Sequence, residues 1–326
     1  MRPFLVLMNR RPTLDLDFTA GTIDHRVTYS GGTNGTTVNS AGVIVAAACP
    51  RFDYATTSLA ARGAIIELER ANRLLNSLID GTNLSTQSVT VTNVAHTLSF
   101  YGTGTVTLSG ASTAGPLVGS GAYPTKSKLT FTPTAGSLTL TVSGDVKFAQ
   151  LEIGVFDSSF IPTGGAAVAR TGDSIVISGD AFTSWYRPSG VFLVEFSKNN
   201  NSVSGRVFTL SDGTVNNQIR LNASVGANIR PDWQIVTGGV VQANITNSSE
   251  IAVDALGKVA SAYALNDARQ VCNGTLASVD TEGTIPNVNQ MAIGANEAAS
   301  AQLSGHIKRL RFWPGLPTGR MIALTA

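Results

Sequence analysis

Between Ser88 and Val142 the chain alternates apolar and hydroxyl-bearing residues with a period of two. Ser88-Val-Thr-Val-Thr92 sets Val89 and Val91 on one side and threonines on the other. His96-Thr-Leu-Ser-Phe100, Gly104-Thr-Val-Thr-Leu-Ser109, Lys128-Leu-Thr-Phe-Thr132 and Ser137-Leu-Thr-Leu-Thr-Val142 repeat the pattern. Successive side chains of a strand point to opposite faces, so this spacing fits strands with one face buried and excludes amphipathic helices. Gly-rich segments stand between the runs: Tyr101-Gly-Thr-Gly104, Ala111 to Tyr123 and Pro133-Thr-Ala-Gly136. Short strands separated by such turns predict an antiparallel sandwich or jelly roll. A last run, Val146 to Ile153, slips phase between Phe148 and Leu151, which predicts a bulge.

Composition explains how such strands stay wet on one side. Only 13% of the residues are charged, against about 25% in ordinary globular chains, while 36 Thr, 30 Ser and 21 Asn supply polarity without charge. With 23 basic and 21 acidic residues and no basic block, binding driven by phosphate neutralisation is excluded, so no nucleic acid is expected as a partner. A 43% apolar content excludes a charge-rich disordered chain. No run of 18 apolar residues occurs, so no membrane-crossing helix is expected. The apolar stretch at Phe4 to Met8 is shorter than a secretory h-region, and no signal peptide is expected. Cys49 and Cys272 read as separate free thiols.

The pattern divides the chain of 326 residues into an N-terminal arm over 1–20, a small jelly-roll domain over 21–156, a Pro- and Gly-containing connector over 157–172, and a larger sandwich over 173–326. In the last region strands are expected at Ser174 to Ser178, Gly190 to Ser197, Arg206 to Leu210, Gln218 to Asn222, Trp233 to Val236, Val259 to Leu265 and Gly305 to Trp313. Ser58 to Ile79 stays open between a helix and a strand through Gly63-Ala-Ile-Ile-Glu67, because its apolar spacing is near helical and Gly63 interrupts it.

Three segments carry a resemblance. Arg51-Phe-Asp-Tyr54, Gly63 to Glu67 and Arg70-Ala-Asn-Arg-Leu-Leu75 resemble a signature of tailed-bacteriophage virion proteins of the tail-fibre and appendage type. Phe148-Ala-Gln-Leu-Glu-Ile-Gly154, Phe160 to Gly164 and Ala169-Arg-Thr-Gly-Asp173 are similar to the joint between domains of the same proteins. Val259 to Asp267, Cys272-Asn-Gly274, Gly305 to Pro314 and Met321 to Thr325 resemble the end of the concanavalin-A-like, or laminin-G-like, lectin domain these proteins carry. Two departures stand out: Ala71 where a threonine is usual, and Pro317-Thr-Gly-Arg-Met321 in place of an acidic helix start, which puts a final helix in doubt. The resemblance implies an all-β chain of two antiparallel β-sandwich domains. It also implies a place in a virion assembled in the host cytoplasm, other virion proteins as partners, a homo-oligomer with a trimer favoured, and host cell-surface polysaccharide as a ligand.

The residues form no catalytic constellation. His25, His96 and His306 stand apart from any zinc-binding spacing, and ordinary packed or exposed histidines explain them better. Glu195 is the best single acid for glycoside hydrolysis, yet it lacks a second carboxylate in its strand, so no catalytic residue is assigned and a glycan depolymerase ranks last. Asp212, Asn216, Asn217, Asp254 and Asp267 could serve calcium, but turn formation accounts for them, and neither a metal nor another cofactor is expected. For sugar binding, Trp185-Tyr186 and Trp313 read as core. Trp233, beside a turn in Arg230-Pro-Asp-Trp-Gln234, is the candidate stacking ring. Asn200, Asn216 and Asn217, in amide-rich loops, are the candidate partners for hydroxyls. The expectation is therefore a non-enzymatic virion component with a lectin-like domain, with a decoration protein of purely assembly role as the alternative.

Overall fold

The computed structural model describes residues 11–326. The first ten residues of the arm expected over 1–20 lie outside this range. Nearly all regular structure is antiparallel β, as the alternation predicts. The chain divides into two compact units. One comprises the described residues up to Ser30, Ala61–Leu68 and Asp173–Ala326; the other comprises Gly31–Ala60 and Glu69–Gly172.

The smaller unit holds the hydroxyl-alternating strands. Gln87–Val91, Thr105–Gly110, Leu117–Val118 and Gly136–Ser143 form one sheet, and His96–Gly102, Gly121–Phe131 and Lys147–Ile153 form another. Leu98, Phe100, Val106, Leu108, Leu138, Leu140 and Leu151 make its core. The predicted bulge is present. Pairing slips between Lys147 and Gln150, and Phe148 takes a left-handed φ of 47°.

Residues 157–172, expected as a connector, belong to this unit, and buried polar side chains explain why. Glu152 accepts from Ser158 N at 3.0 Å, and Gln150 donates to Ser158 O at 2.9 Å while accepting from Ile161 N at 3.0 Å. Arg170 and Arg51 both donate to Ser159 Oγ, at 2.9 and 2.8 Å. Burial pushes the Glu152 carboxyl up against the lowering effect of its Ser158 bonds and the nearby Arg170 and Lys126 charges. The motif residues behind the resemblance are thus the stitching of a scaffold. Asn72 adds to it, donating to Ala149 O and Ile161 O and accepting from Leu74 N and Leu151 N.

The larger unit is a sandwich. One sheet runs Thr28–Ser30, Ser174–Ser178, Gln290–Ile293, Gly205–Ser211, Gln218–Ser224, Arg230–Thr237, Val240–Thr246. The facing sheet contains Thr275–Leu276, Asp267–Cys272, Gly257–Ala264, Gly190–Lys198, Gly305–Trp313 and Ala61–Ile66 in that order, with Leu14–Asp17 also paired to Gly305–Trp313. Residues 14–17, expected in an arm, are therefore a strand, fixed by Leu14 and Leu16 turned into the core. The open choice at Ser58 to Ile79 resolves as strand. A Cβ on Gly63, at φ 98°, would lie 2.2 Å from Ile307 O, so the glycine permits the close approach of the neighbouring strand rather than interrupting a helix.

The doubted final helix exists, over Thr318–Thr325. Its Met321 packs with Val191, Leu193, Ala260, Val271 and Trp313. Burial of an apolar stripe decides a short helix here more than an acidic start. Cys49 and Cys272 form no disulfide.

Candidate functional site

The four residues picked for sugar binding do not converge. Trp233 is 0% exposed, its ring 5.9 Å from Phe208 and 6.5 Å from Tyr263, its Nε1 donating to Ala262 O at 3.1 Å. A ring with no exposed face cannot stack on a sugar, so Trp233 is a bolt between the two sheets of the larger unit. Asn200 is buried as well, its Oδ1 accepting from Lys198 Nζ and Ser202 N, both at 3.1 Å. Asn216 and Asn217 meet the turn at Gly238-Gly239: Asn217 Oδ1 accepts from Gly238 N at 3.0 Å and Asn216 O from Gly239 N at 2.9 Å. They precede strand Gln218–Ser224, whereas Asn201, next to Asn200, donates to Gly226 O and Ala227 O beyond that strand's other end. A strand of that length separates the two groups by roughly 20 Å.

The alternation that buries Trp233 exposes something else. Its neighbours Asp232 and Gln234 point to the opposite face, and the strand register lines up polar residues there. Thr246, Asp232, Asn222 and Arg206 form one cross-strand row; Asn244, Gln234, Arg220 and Thr209 form the next; Gln218 and Ser211 lie in a third. Arg206 joins this face because of a bulge: Arg206 pairs with Asn222 and Phe208 with Leu221, leaving Val207 as the extra residue. Without it, alternation from Phe208 inward and Thr209 outward would set Arg206 toward the core.

A segment from Gly294 to Ser304 walls one side. Gly294 N donates to Val207 O at 2.8 Å, Arg206 N to Ala301 O at 3.0 Å, and Leu303 N to Gly294 O at 2.8 Å. Asn296 Oδ1 holds its turn by accepting from Ser300 N at 2.7 Å. Ala299, Ala301 and Ser304 all take left-handed φ values of 51 to 53°, a strained backbone that persists only where the surroundings enforce it. Beneath this wall Thr209 and Gln218 are buried, while Asn244 and Thr246 at the far side are exposed.

Within the face each arginine meets amides rather than acids. Arg206 donates to Asn222 Oδ1, and Asn222 Nδ2 donates onward to Asp232 at 3.0 Å, which also accepts from Thr246 Oγ1 at 3.2 Å. Arg220 donates to Gln218 Oε1 and Gln234 Oε1, and Gln218 Nε2 donates onward to Glu297 at 2.6 Å. Burial holds both guanidinium pKa values below the ordinary one, and for Arg206 the Arg220 charge adds to the effect. Planar amide, carboxylate and guanidinium groups side by side are what a hydroxyl-rich ligand needs: fixed donors and acceptors in known orientation. The rows contain no aromatic ring, so what this face offers is hydrogen bonds and charge.

Sequence reasoning missed this face by looking for a ring. The signal was present in Gln218-Ile-Arg-Leu-Asn222, Asp232-Trp-Gln-Ile235 and Gln242-Ala-Asn-Ile-Thr246, three runs with apolar residues on one side and large polar residues on the other.

Glu195 lies on the facing sheet, where it pairs in register with Arg309, and Arg309 with Asp17. Arg311 contacts Glu195 at 3.1 Å, and Arg309 contacts Asp15 at 2.7 Å. The carboxylates of this face are thus each held by an arginine. His96 is buried with Nδ1 2.8 Å from Val94 O, His306 is buried and His25 is exposed. No group of three metal-ligating side chains occurs among the described residues.

No family model matches the chain, and no curated protein matches it. Among solved structures, the CBM40 module of the Ruminococcus gnavus IT-sialidase, bound to α2,3-sialyllactose, is 14% identical with a TM-score of 0.37, covering 42% of this chain and 83% of that one. The NanB sialidase from Streptococcus pneumoniae is 12% identical with a TM-score of 0.40, covering 46% of this chain and 26% of that one. A heptameric SAP-like pentraxin from Limulus polyphemus is 12% identical with a TM-score of 0.33, covering 43% and 70%. At these scores the likeness decides neither fold nor ligand; the fold follows from the sheets described above.

Proposed function

We propose that this chain is a non-enzymatic, glycan-binding component of a phage virion, a tail fibre or appendage protein that contacts host-surface polysaccharide through the polar outer face of its larger unit. One observation carries the binding role: three adjacent strands present Arg206, Arg220, Asn222, Asp232 and Gln234 on one face, fixed by one another's hydrogen bonds and walled by Gly294 to Ser304. Pre-organised polar groups beside a wall bind sugars with little ordering cost. The virion role rests on the motif resemblance at Arg51 to Tyr54, Gln150 to Gly154 and Val259 to Asp267. The non-enzymatic role is supported by the arginine contacts that occupy Glu195, Asp15 and Asp17.

The test is binding of the full chain to a panel of bacterial surface polysaccharides. Retention on one or more of them, without release of shorter sugars, is the expected result; no retention on any polysaccharide overturns the binding role, and chain shortening overturns the non-enzymatic one. A purely assembly role, in which copies pack together, is favoured by one feature. Val215, Val240 and Val241 are 63%, 61% and 52% exposed, and Gly239, beside Val240, is bonded to Asn216, beside Val215. Under that reading Val240→Ser together with Val241→Ser lowers the oligomeric state in sedimentation; an unchanged state removes it.

A further inference from the structure

Among the described residues of the larger unit, every other half-buried arginine has an acid of its own, as does the exposed Arg230. Arg26 contacts Asp24 at 2.7 Å, Arg230 contacts Glu250 at 2.9 Å, Arg269 contacts Asp267 at 2.6 Å and Arg311 contacts Glu195 at 3.1 Å. Arg206 and Arg220 differ. Among the described residues neither has a carboxylate within ion-pair distance, although both are half-buried and sit on adjacent strands in adjacent rows of one face. The nearest acids, Asp232 and Glu297, are each one amide away, held by Asn222 and by Gln218. A guanidinium has five N–H donors. The side chain of Arg206 donates to Asn222 alone and that of Arg220 to Gln218 and Gln234, and the Nε of each is buried without a partner. Two half-buried cations next to each other repel, and the attraction of Asp232 and Glu297, which act across the intervening amides, does not offset the cost of burying them. Such a pair is stabilised by an anion with planar, two-oxygen geometry, which a guanidinium fork matches.

We infer that Arg206 and Arg220 hold the carboxylate of an acidic sugar, while Asp232, Gln234 and Asn244 accept from and donate to its hydroxyls. This rests on the glycan-binding reading above and narrows it to carboxylate-bearing glycans. The carboxylate supplies a counter-ion in direct contact, and Asn222 and Gln218 supply the orientation, since their amide oxygens fix the guanidinium planes. The ring-free face fits the same ligand, because charge and hydrogen bonds replace stacking. Substitution of lysine for either arginine keeps the charge and loses the fork.

The experiment uses the full chain and immobilised bacterial capsular polysaccharides, some carboxylate-bearing and some neutral. Each carboxylate-bearing one is also presented after its carboxyls have been reduced to hydroxymethyl groups. Binding to carboxylate-bearing members that falls at least about tenfold on reduction is expected, as charge-assisted bonds are worth that much. In Arg220→Lys, whose fold is checked by its unfolding midpoint, binding to the unreduced polysaccharide falls by a similar factor. Equal binding to reduced and unreduced forms, or binding to neutral members alone, overturns this inference and leaves the glycan-binding reading standing. No binding to any member overturns both. The reduction arm needs no variant, so a misfolded substitution does not shield the inference.

Discussion

Trp233 shows how one residue can be misplaced by its neighbours. In Arg230-Pro-Asp-Trp-Gln234 the proline and aspartate suggest a turn and an exposed ring, yet Pro231 is the second residue of a strand and Trp233 fills the core between the two sheets. Trp233→Ala should therefore lower stability by about 3–5 kcal/mol, read from the urea midpoint, because a large ring and its bond to Ala262 O are lost. A drop below about 1 kcal/mol would place the ring at the surface instead. Lys198 is legible only in three dimensions. Its amine is buried, bonded to Asn200 O at 2.8 Å, and burial holds its pKa down to about 8. Between pH 8 and the ordinary lysine value of 10.5 the unfolded chain holds this proton and the folded chain has released it, so this group's contribution to stability rises with pH across that window. Unfolding midpoints measured from pH 7.5 to 10 should carry this upward contribution in the wild type and lack it in Lys198→Met. Identical pH slopes in the two proteins would contradict the burial.

At the scale of elements, the hydroxyl-alternating runs between Ser88 and Val142 each coincide with a strand of the smaller unit, whereas Leu117–Val118 and the start of Gly121–Phe131 lie in a stretch whose glycines suggest a turn. Alternation was not decisive at Ser58 to Ile79, because Ile65, Ile66 and Leu68 suit a helix or a buried strand equally and only the partner strand chooses. Gly63→Ala tests that choice: the added Cβ meets Ile307 O, so the sheet must part, at a cost of about 2–3 kcal/mol in the unfolding midpoint. A helix-like gain in stability from the same change would contradict the strand. The bulge at Val207 was beyond sequence reasoning as well. One extra residue in Gly205–Ser211 brings Arg206 onto the polar face, and nothing in Arg206-Val-Phe-Thr-Leu210 marks it. The candidate site was therefore half legible: Arg220, Asn222, Asp232 and Gln234 follow from alternation, whereas Arg206 and the Gly294 to Ser304 wall depend on tertiary pairing.

For the whole molecule, the decisive feature is that the larger unit is assembled from three separate stretches of chain. The boundary at residue 173 coincides with the start of its longest stretch, but strands Leu14–Asp17, Thr28–Ser30 and Ala61–Ile66 come from before it. A fragment spanning 173–326 lacks them and leaves strands 174–178 and 305–313 with open edges. That fragment should lose the cooperative unfolding transition of the full chain or aggregate; a fragment with the full chain's midpoint would contradict the assignment of those early strands. Binding studies accordingly need the full chain.

The central claim is that the polar outer face of the larger unit is where a glycan docks. The most direct measurement is the affinity of the full chain for a retained polysaccharide, compared with that of the double variant Gln234→Ala and Asn244→Ala. Asn244 is exposed, whereas Gln234 is half-buried and accepts from Arg220, so a stability loss of about 1 kcal/mol with the cooperative unfolding transition kept is expected. A loss of binding of tenfold or more by a chain that still unfolds cooperatively is the predicted result; undiminished binding by the double variant would contradict the claim.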